Sequence, residues 1–238
     1  MSAIRTLAIG AILLGPLAGG TADAASLNGF TSFWTIGDSL SDPGNLYAAT
    51  GGAQPQSPPY YEGRFSNGPV WAETVAKRFQ DQGLATGNFA FGGAKALPDP
   101  AAQVPGLSTQ LGLLAANSAG FLGDRPVVSL WMGANDLMFD GIAKDDARAV
   151  GRAAARAVGS AAAALSDFGK RDVMMFTMPD LADTPRYALS PDAAERAEAA
   201  RGSAAYNRAL DRQITKLGKT GINVIEVDTA ALFKALIA

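Results

Sequence analysis

Five short apolar runs, at residues 33–36, 88–91, 127–131, 173–176 and 222–227, are separated by longer stretches whose apolar residues recur at helical spacing. Runs of that length suit buried strands, and an intervening helix is the connection that lets successive strands lie parallel. The alternation predicts one α/β domain, a three-layer α/β/α sandwich around a mostly parallel five-stranded sheet. Trp71, Val75 and Phe79 share a helical face behind Asn67 and Pro69, so a helix is expected over 70–79. Ser108 is placed to cap a helix carrying Leu111, Leu114 and Ala115. Val150, Ala154, Val158, Ala161 and Leu165 mark an Ala- and Arg-rich helix over 144–168 that Gly169 ends, with Arg148, Arg152 and Arg156 on a solvated face. Ser190-Pro191-Asp192, with its first-turn proline, opens a long helix to about residue 217, and 229–237 begins another. Trp131 and Met132 continue a buried strand and are expected in the core.

Composition removes several chemistries. None of the 238 residues is Cys or His, which leaves no disulfide, no thiolate nucleophile and no imidazole as metal ligand or base. Twenty Lys plus Arg against 22 Asp plus Glu give a net charge of −2, no field for holding nucleic acid. Residues 1–5 make a short basic start, 7–19 an apolar stretch broken by Gly and Pro16, and Ala22-Asp23-Ala24 a small-x-small cleavage site. These features predict a signal peptide over 1–24, a domain over 25–238 and a secreted or periplasmic protein of bacterial type. The apolar stretch is shorter than the ~20 residues of a membrane span, and no second one approaches that length.

Ligands in a parallel sheet sit beyond the carboxyl ends of its strands. Three such ends are unusual here: Gly37-Asp38-Ser39-Leu40-Ser41-Asp42-Pro43-Gly44-Asn45 after the first strand, Gly92-Gly93-Ala94 after the second, and Gly133-Ala134-Asn135-Asp136 after the third. A hydroxyl, a glycine amide open to close approach and a carboxamide that donates without titrating suit acyl transfer. Ser39 would attack an ester carbonyl, and the N–H groups of Ser39 and Gly93 with the Asn135 side chain would meet the oxyanion. The stretch 47–67 is long enough to be functional, and its Tyr60, Tyr61 and Arg64, together with Asp38, are candidate substrate contacts.

These three blocks resemble those of the GDSL, or SGNH, serine esterases and lipases. Further similarity lies in Gly63-Arg64-Phe65-Ser66-Asn67-Gly68-Pro69-Val70-Trp71 and in Met178-Pro179-Asp180-Leu181-Ala182-Asp183-Thr184-Pro185, the pattern of the longer plant-type and autotransporter-type members. The resemblance implies a flavodoxin-like hydrolase domain, Ser39 as nucleophile, no cofactor or metal, and a small-molecule, lipid or glycan ester as substrate. The family completes its triad with a C-terminal Asp-x-x-His block, whereas Asp228-Thr229-Ala230-Ala231 offers no base and Asp228 reads as a strand end or helix cap. Lys95, close behind the second block, would serve as base only if desolvated. The expectation is an esterase fragment, C-terminally incomplete and nearly inactive as it stands. The alternative is a non-catalytic acyl- or glycan-binding protein that keeps the pocket.

Overall fold

The computed structural model describes residue 27 and residues 29–118, 122–169 and 172–238; the leader expected over 1–24 lies outside the described residues. Strands β1 (Ser32–Gly37), β2 (Ala85–Asn88), β3 (Pro126–Trp131), β4 (Asp172–Phe176) and β5 (Asn223–Val227) form one sheet in the order β2-β1-β3-β4-β5. Every neighbouring pair is parallel. The connections carry α1 (Asn45–Ala49), α2 (Trp71–Gln80), α3 (Leu107–Asn117), α4 (Ala134–Asp136), α5 (Ala147–Leu165), α6 (Pro185–Ala188), α7 (Ala193–Gly218) and α8 (Thr229–Ile237). The expected α/β sandwich is the observed one. Among the described residues, no helix is long and apolar enough to cross a membrane.

Side-chain alternation assigns the two faces of the sheet. Trp34, Ile36, Val128, Leu130, Val173 and Met175 enter a large core with residues of α3, α5 and α7, whereas Phe33, Val127 and Met174 belong to a smaller cluster with α2. Close packing of α5 on α7 depends on Gly151, where a Cβ would lie 2.5 Å from the Gly202 carbonyl oxygen. Met132 is buried as expected; Trp131 is only partly so and stacks on Phe176 with ring centroids 4.8 Å apart.

The second strand departs most from expectation. Its ladder covers Ala85–Asn88, and the apolar residues 89–91 run on as a buried segment beyond it. The segment stays beside β1, with the Phe89 N–H on the Thr35 carbonyl and the Phe91 N–H on the Gly37 carbonyl, and side-chain hydrogen bonds brace it. Asn88 Oδ1 accepts from the Ala90 N–H, and Asn45 Nδ2 donates to the carbonyls of Asn88 and Ala90. Three helix starts also shift. Gly106, not Ser108, is the N-cap of α3. Asp192 caps α7 by accepting from the N–H groups of Ala194 and Glu195, which leaves Pro191 ahead of the cap rather than in the first turn. The helix expected from 144 begins at Ala147 after a 3-10 turn over Ile142–Lys144. Asp228 caps α8 through the Ala231 N–H, as its sequence context suggests.

Candidate active site

The strand order places a topological switch point at β1, because the chain moves to β2 on one side and then returns to β3 on the other. The three unusual strand ends therefore flank one another, with Ser39 following the middle strand. Buried polar side chains add to the backbone hydrogen bonds that hold these ends.

Beyond Gly37 the backbone folds into a tight turn, with the Ser41 N–H on the Asp38 carbonyl at 3.0 Å and the Leu40 N–H on Asp38 Oδ1 at 3.1 Å. Gly37 is needed there, since a Cβ would stand 2.9 Å from Ser41. Gln110, fully buried on α3, clamps the strand end: its Oε1 accepts from the Gly37 N–H, and its Nε2 donates to the carbonyls of Gly37 and Pro105. Asp42 accepts from the N–H groups of Gly44, Asn45 and Leu46 and, across the sheet edge, from that of Gly92 at 2.8 Å. One carboxylate thus ties the serine turn to the glycine turn.

In the turn after β2, four of the six amides of residues 92–97 have acceptors, and among the described residues those of Gly93 and Lys95 have none. The Gly92 N–H goes to Asp42, the Ala94 N–H to the Phe91 carbonyl, and those of Ala96 and Leu97 to the Asp136 carboxylate at 2.8 Å each. Gly93 takes a positive φ of 80° in the middle of this turn, a conformation glycine adopts without strain. Among the described residues, no acceptor meets the N–H of Gly93 or that of Ser39, and no partner meets the Ser39 hydroxyl. Asn135, buried in α4, donates one amide hydrogen to the Ala94 carbonyl at 2.9 Å and keeps a second donor. Gly133 approaches Tyr206 so closely that a Cβ would lie 2.7 Å from its ring, and the Tyr206 hydroxyl donates to the Met132 carbonyl.

The carboxyls beneath this layer are perturbed. Burial pushes Asp38 up to about 7, against the pull of the Leu40 N–H, with the Asp136 carboxylate adding to the rise. Burial likewise raises Asp136 to about 6 despite the Ala96 and Leu97 N–H groups. Tyr206 is raised by burial and by both carboxylates. Lys95 is the opposite case. Its ammonium pairs with Asp140 at 2.8 Å and Asp99 at 2.9 Å, and the Asp140 hydrogen bond holds its pKa above the ordinary lysine value. A lysine held cationic in this way is no general base, which removes it as a substitute for histidine.

Ser39, Gly93 and Asn135 all line one cleft of about 650 Å³. Asp38, Tyr60, Tyr61 and Arg64 are not among its lining residues. Asp38 lies beneath the serine turn, Tyr60 backs Phe65 at 5.7 Å, and Arg64 pairs with Glu73 at 2.7 Å beside the Tyr61 ring. Asp42, Gln110 and Tyr206 were not marked by sequence reasoning. For Gln110 a signal exists, a polar residue within the apolar stripe of Leu107, Leu111 and Leu114. Among the described residues, no group of three ligating side chains gathers to hold a metal ion.

A parallel sheet with a serine at its switch point, flanked by an unclaimed glycine amide and a carboxamide, has the architecture of the serine acyl-transfer hydrolases. The chain belongs to the GDSL-like lipase/acylhydrolase family, whose model matches residues 34–236. It is 35% identical over 224 residues to a phosphatidylcholine-sterol acyltransferase of Aeromonas hydrophila, covering 91% of this chain and 64% of that protein. It is 29% identical over 208 residues to a thermolabile hemolysin of Vibrio parahaemolyticus, covering 84% and 46%. The chain thus spans about two thirds and about half of these relatives. Among solved structures, a carbohydrate acetylesterase family member from Sinorhizobium meliloti aligns with TM-score 0.48 at 16% identity, covering 82% of each chain. An extracellular lipase from Streptomyces rimosus aligns with TM-score 0.43 at 14% identity, covering 84% and 81%.

Proposed function

We propose that this chain transfers acyl groups from carboxylic esters through Ser39. The acceptor is water or, following the acyltransferase relative, an alcohol. The observation that carries the reading is the pair of amides, of Ser39 and Gly93, left without acceptors where Asn135 holds a spare donor. Such donors stabilise a developing oxyanion only if fixed beforehand, and the buried side chains of Asp42, Gln110 and Asp136 brace the turns that carry them. The ester substrate is a small molecule or lipid, the leader over 1–24 directs export, and residues 25–238 act as one hydrolase domain.

These 238 residues supply no imidazole to take the serine proton. In serine hydrolases, losing the histidine costs about 10⁶ in turnover and leaves roughly 10³–10⁴ over water. The polypeptide is therefore a very slow esterase on its own, and a family-type Asp-x-x-His supplied to the same site restores the rate. The absence of histidine also favours a second reading, a protein that binds acyl or glycan ligands without turning them over. Free imidazole separates the two. With an aryl butyrate, turnover by the purified chain should rise with imidazole well above that of Ser39→Ala. Identical rates for both proteins at every imidazole concentration would leave only the binding reading.

A further inference from the structure

The cleft beside Ser39 continues well past the oxyanion donors. At about 650 Å³ it falls within the roughly 300–1,000 Å³ of small-molecule sites, far more than an acetyl group fills. Leu46, Phe65, Phe91, Val104 and Phe139 supply apolar walls, and no charged side chain is among the described lining residues. Leu46 and Ala49 of α1 and Thr50, its C-cap, are spaced i, i+3 and i+4, so one stripe forms a wall leading away from the nucleophile turn. Phe65 packs onto Gly92, where a Cβ would meet its ring at 2.2 Å. Beside the oxyanion donors an absent side chain thus makes room for an aromatic wall.

The cleft offers few fixed polar groups to a sugar. The Thr50 hydroxyl is spent locally, donating to the Leu46 carbonyl at 2.9 Å and accepting from the Gln54 N–H at 3.0 Å. Gln54 and Gln103 are exposed. The apolar walls offer dispersion and dehydration, which reward an alkyl chain in proportion to its buried length. We propose that the cleft is an acyl-chain site selecting extended linear acyl groups over acetyl, and that Ala49, on the last turn of α1, sets the chain length it accepts. The inference rests on the reading of Ser39 as the attacking group, which fixes the end at which the carbonyl sits. Ala49 is exposed, so a larger side chain there narrows the cleft without disturbing the core.

Linear methyl ketones present the carbonyl and alkyl chain of an ester but cannot be hydrolysed. Calorimetric titration of the purified chain with 2-hexanone, 2-octanone and 2-decanone should show affinity rising by up to about fourfold per methylene. Ala49→Phe should weaken 2-decanone at least tenfold while changing 2-hexanone little, with Ala49→Leu between them and thermal unfolding confirming that both variants fold. An affinity independent of chain length overturns the acyl-chain site. A rise that ignores both Ala49 variants overturns it too, because the chain then binds elsewhere, for example in the apolar groove by Phe33, Val127 and Met174. Failure of the esterase reading looks different: the ketone series still rises, but Ser39→Ala leaves turnover unchanged. A flat series alongside Ser39-dependent turnover of an aryl acetate rejects the acyl-chain site and spares the esterase reading.

Discussion

Asp38→Asn should make the fold more stable above neutrality and leave it no more stable in acid. Asp38 is completely buried next to the nucleophile, and its pKa rises from 3.8 to about 7, chiefly through loss of hydration. A carboxyl raised in the folded state stabilises the fold while protonated; that contribution is complete below about pH 4 and is lost as pH rises through about 7. At about 1.4 kcal/mol per pKa unit, ionising Asp38 costs the fold about 4 kcal/mol. Asparagine keeps an oxygen for the Leu40 N–H and removes the charge, but brings an amide donor whose missing acceptor costs about 1–2 kcal/mol. The net expectation is a gain of about 2 kcal/mol above pH 7.5, shrinking to a small loss near pH 4. Urea unfolding of both proteins across pH 4–8 reads this directly as a crossing of two stability curves. Parallel curves would refute the argument, because a pH-independent difference means that Asp38 does not titrate between its unfolded and folded values.

Gln110→Leu keeps the volume but strands the Gly37 N–H and the carbonyls of Gly37 and Pro105. A loss of about 3 kcal/mol or more in urea unfolding is expected, and a loss below about 1 kcal/mol would mean that the clamp is not what holds the strand end. Asn135→Ala should lower the Ser39-dependent, imidazole-assisted ester turnover by about 10²–10³; an unchanged rate would remove Asn135 from the oxyanion site. Lys95→Gln should leave that turnover within a factor of a few and change stability by less than about 1 kcal/mol, since its ion pairs lie near the surface. Loss of turnover there would reinstate lysine as the base.

The sheet, and the meeting of Ser39, Gly93 and Asn135 in one cleft, were legible because each rests on a local signal. The buried strands β1, β3 and β4 show as apolar runs, and Ser39, Gly93 and Asn135 each stand just past an apolar run. The second strand slipped because its ladder lies on the half-buried Ala85–Asn88, which carries no apolar run, while the apolar residues 89–91 follow along β1 with braces from Asn45 and Asn88 that no periodicity encodes. The supports were harder to see for the same reason. Asp42 looks like an ordinary turn residue until the Gly92 N–H arrives from another loop, and Tyr206 sits mid-helix until Gly133 meets its ring. Tyr60, Tyr61 and Arg64 were selected by residue type in a long loop, yet Arg64 is engaged by Glu73 and none of the three lines the cleft. The raised pKa values of Asp38 and Asp136 follow from depth of burial, a property of the packed domain and not of the motif.

The most direct test of the account is the mass of the acylated protein. With an activated aryl ester and imidazole as the external base for both steps, the good aryl leaving group makes acylation outrun deacylation, so a sample quenched in acid during turnover should carry one acyl group that peptide mapping places on Ser39 and that Ser39→Ala abolishes. Acylation spread over surface lysines, equal in the wild-type protein and the variant, would contradict the assignment of Ser39 as the nucleophile.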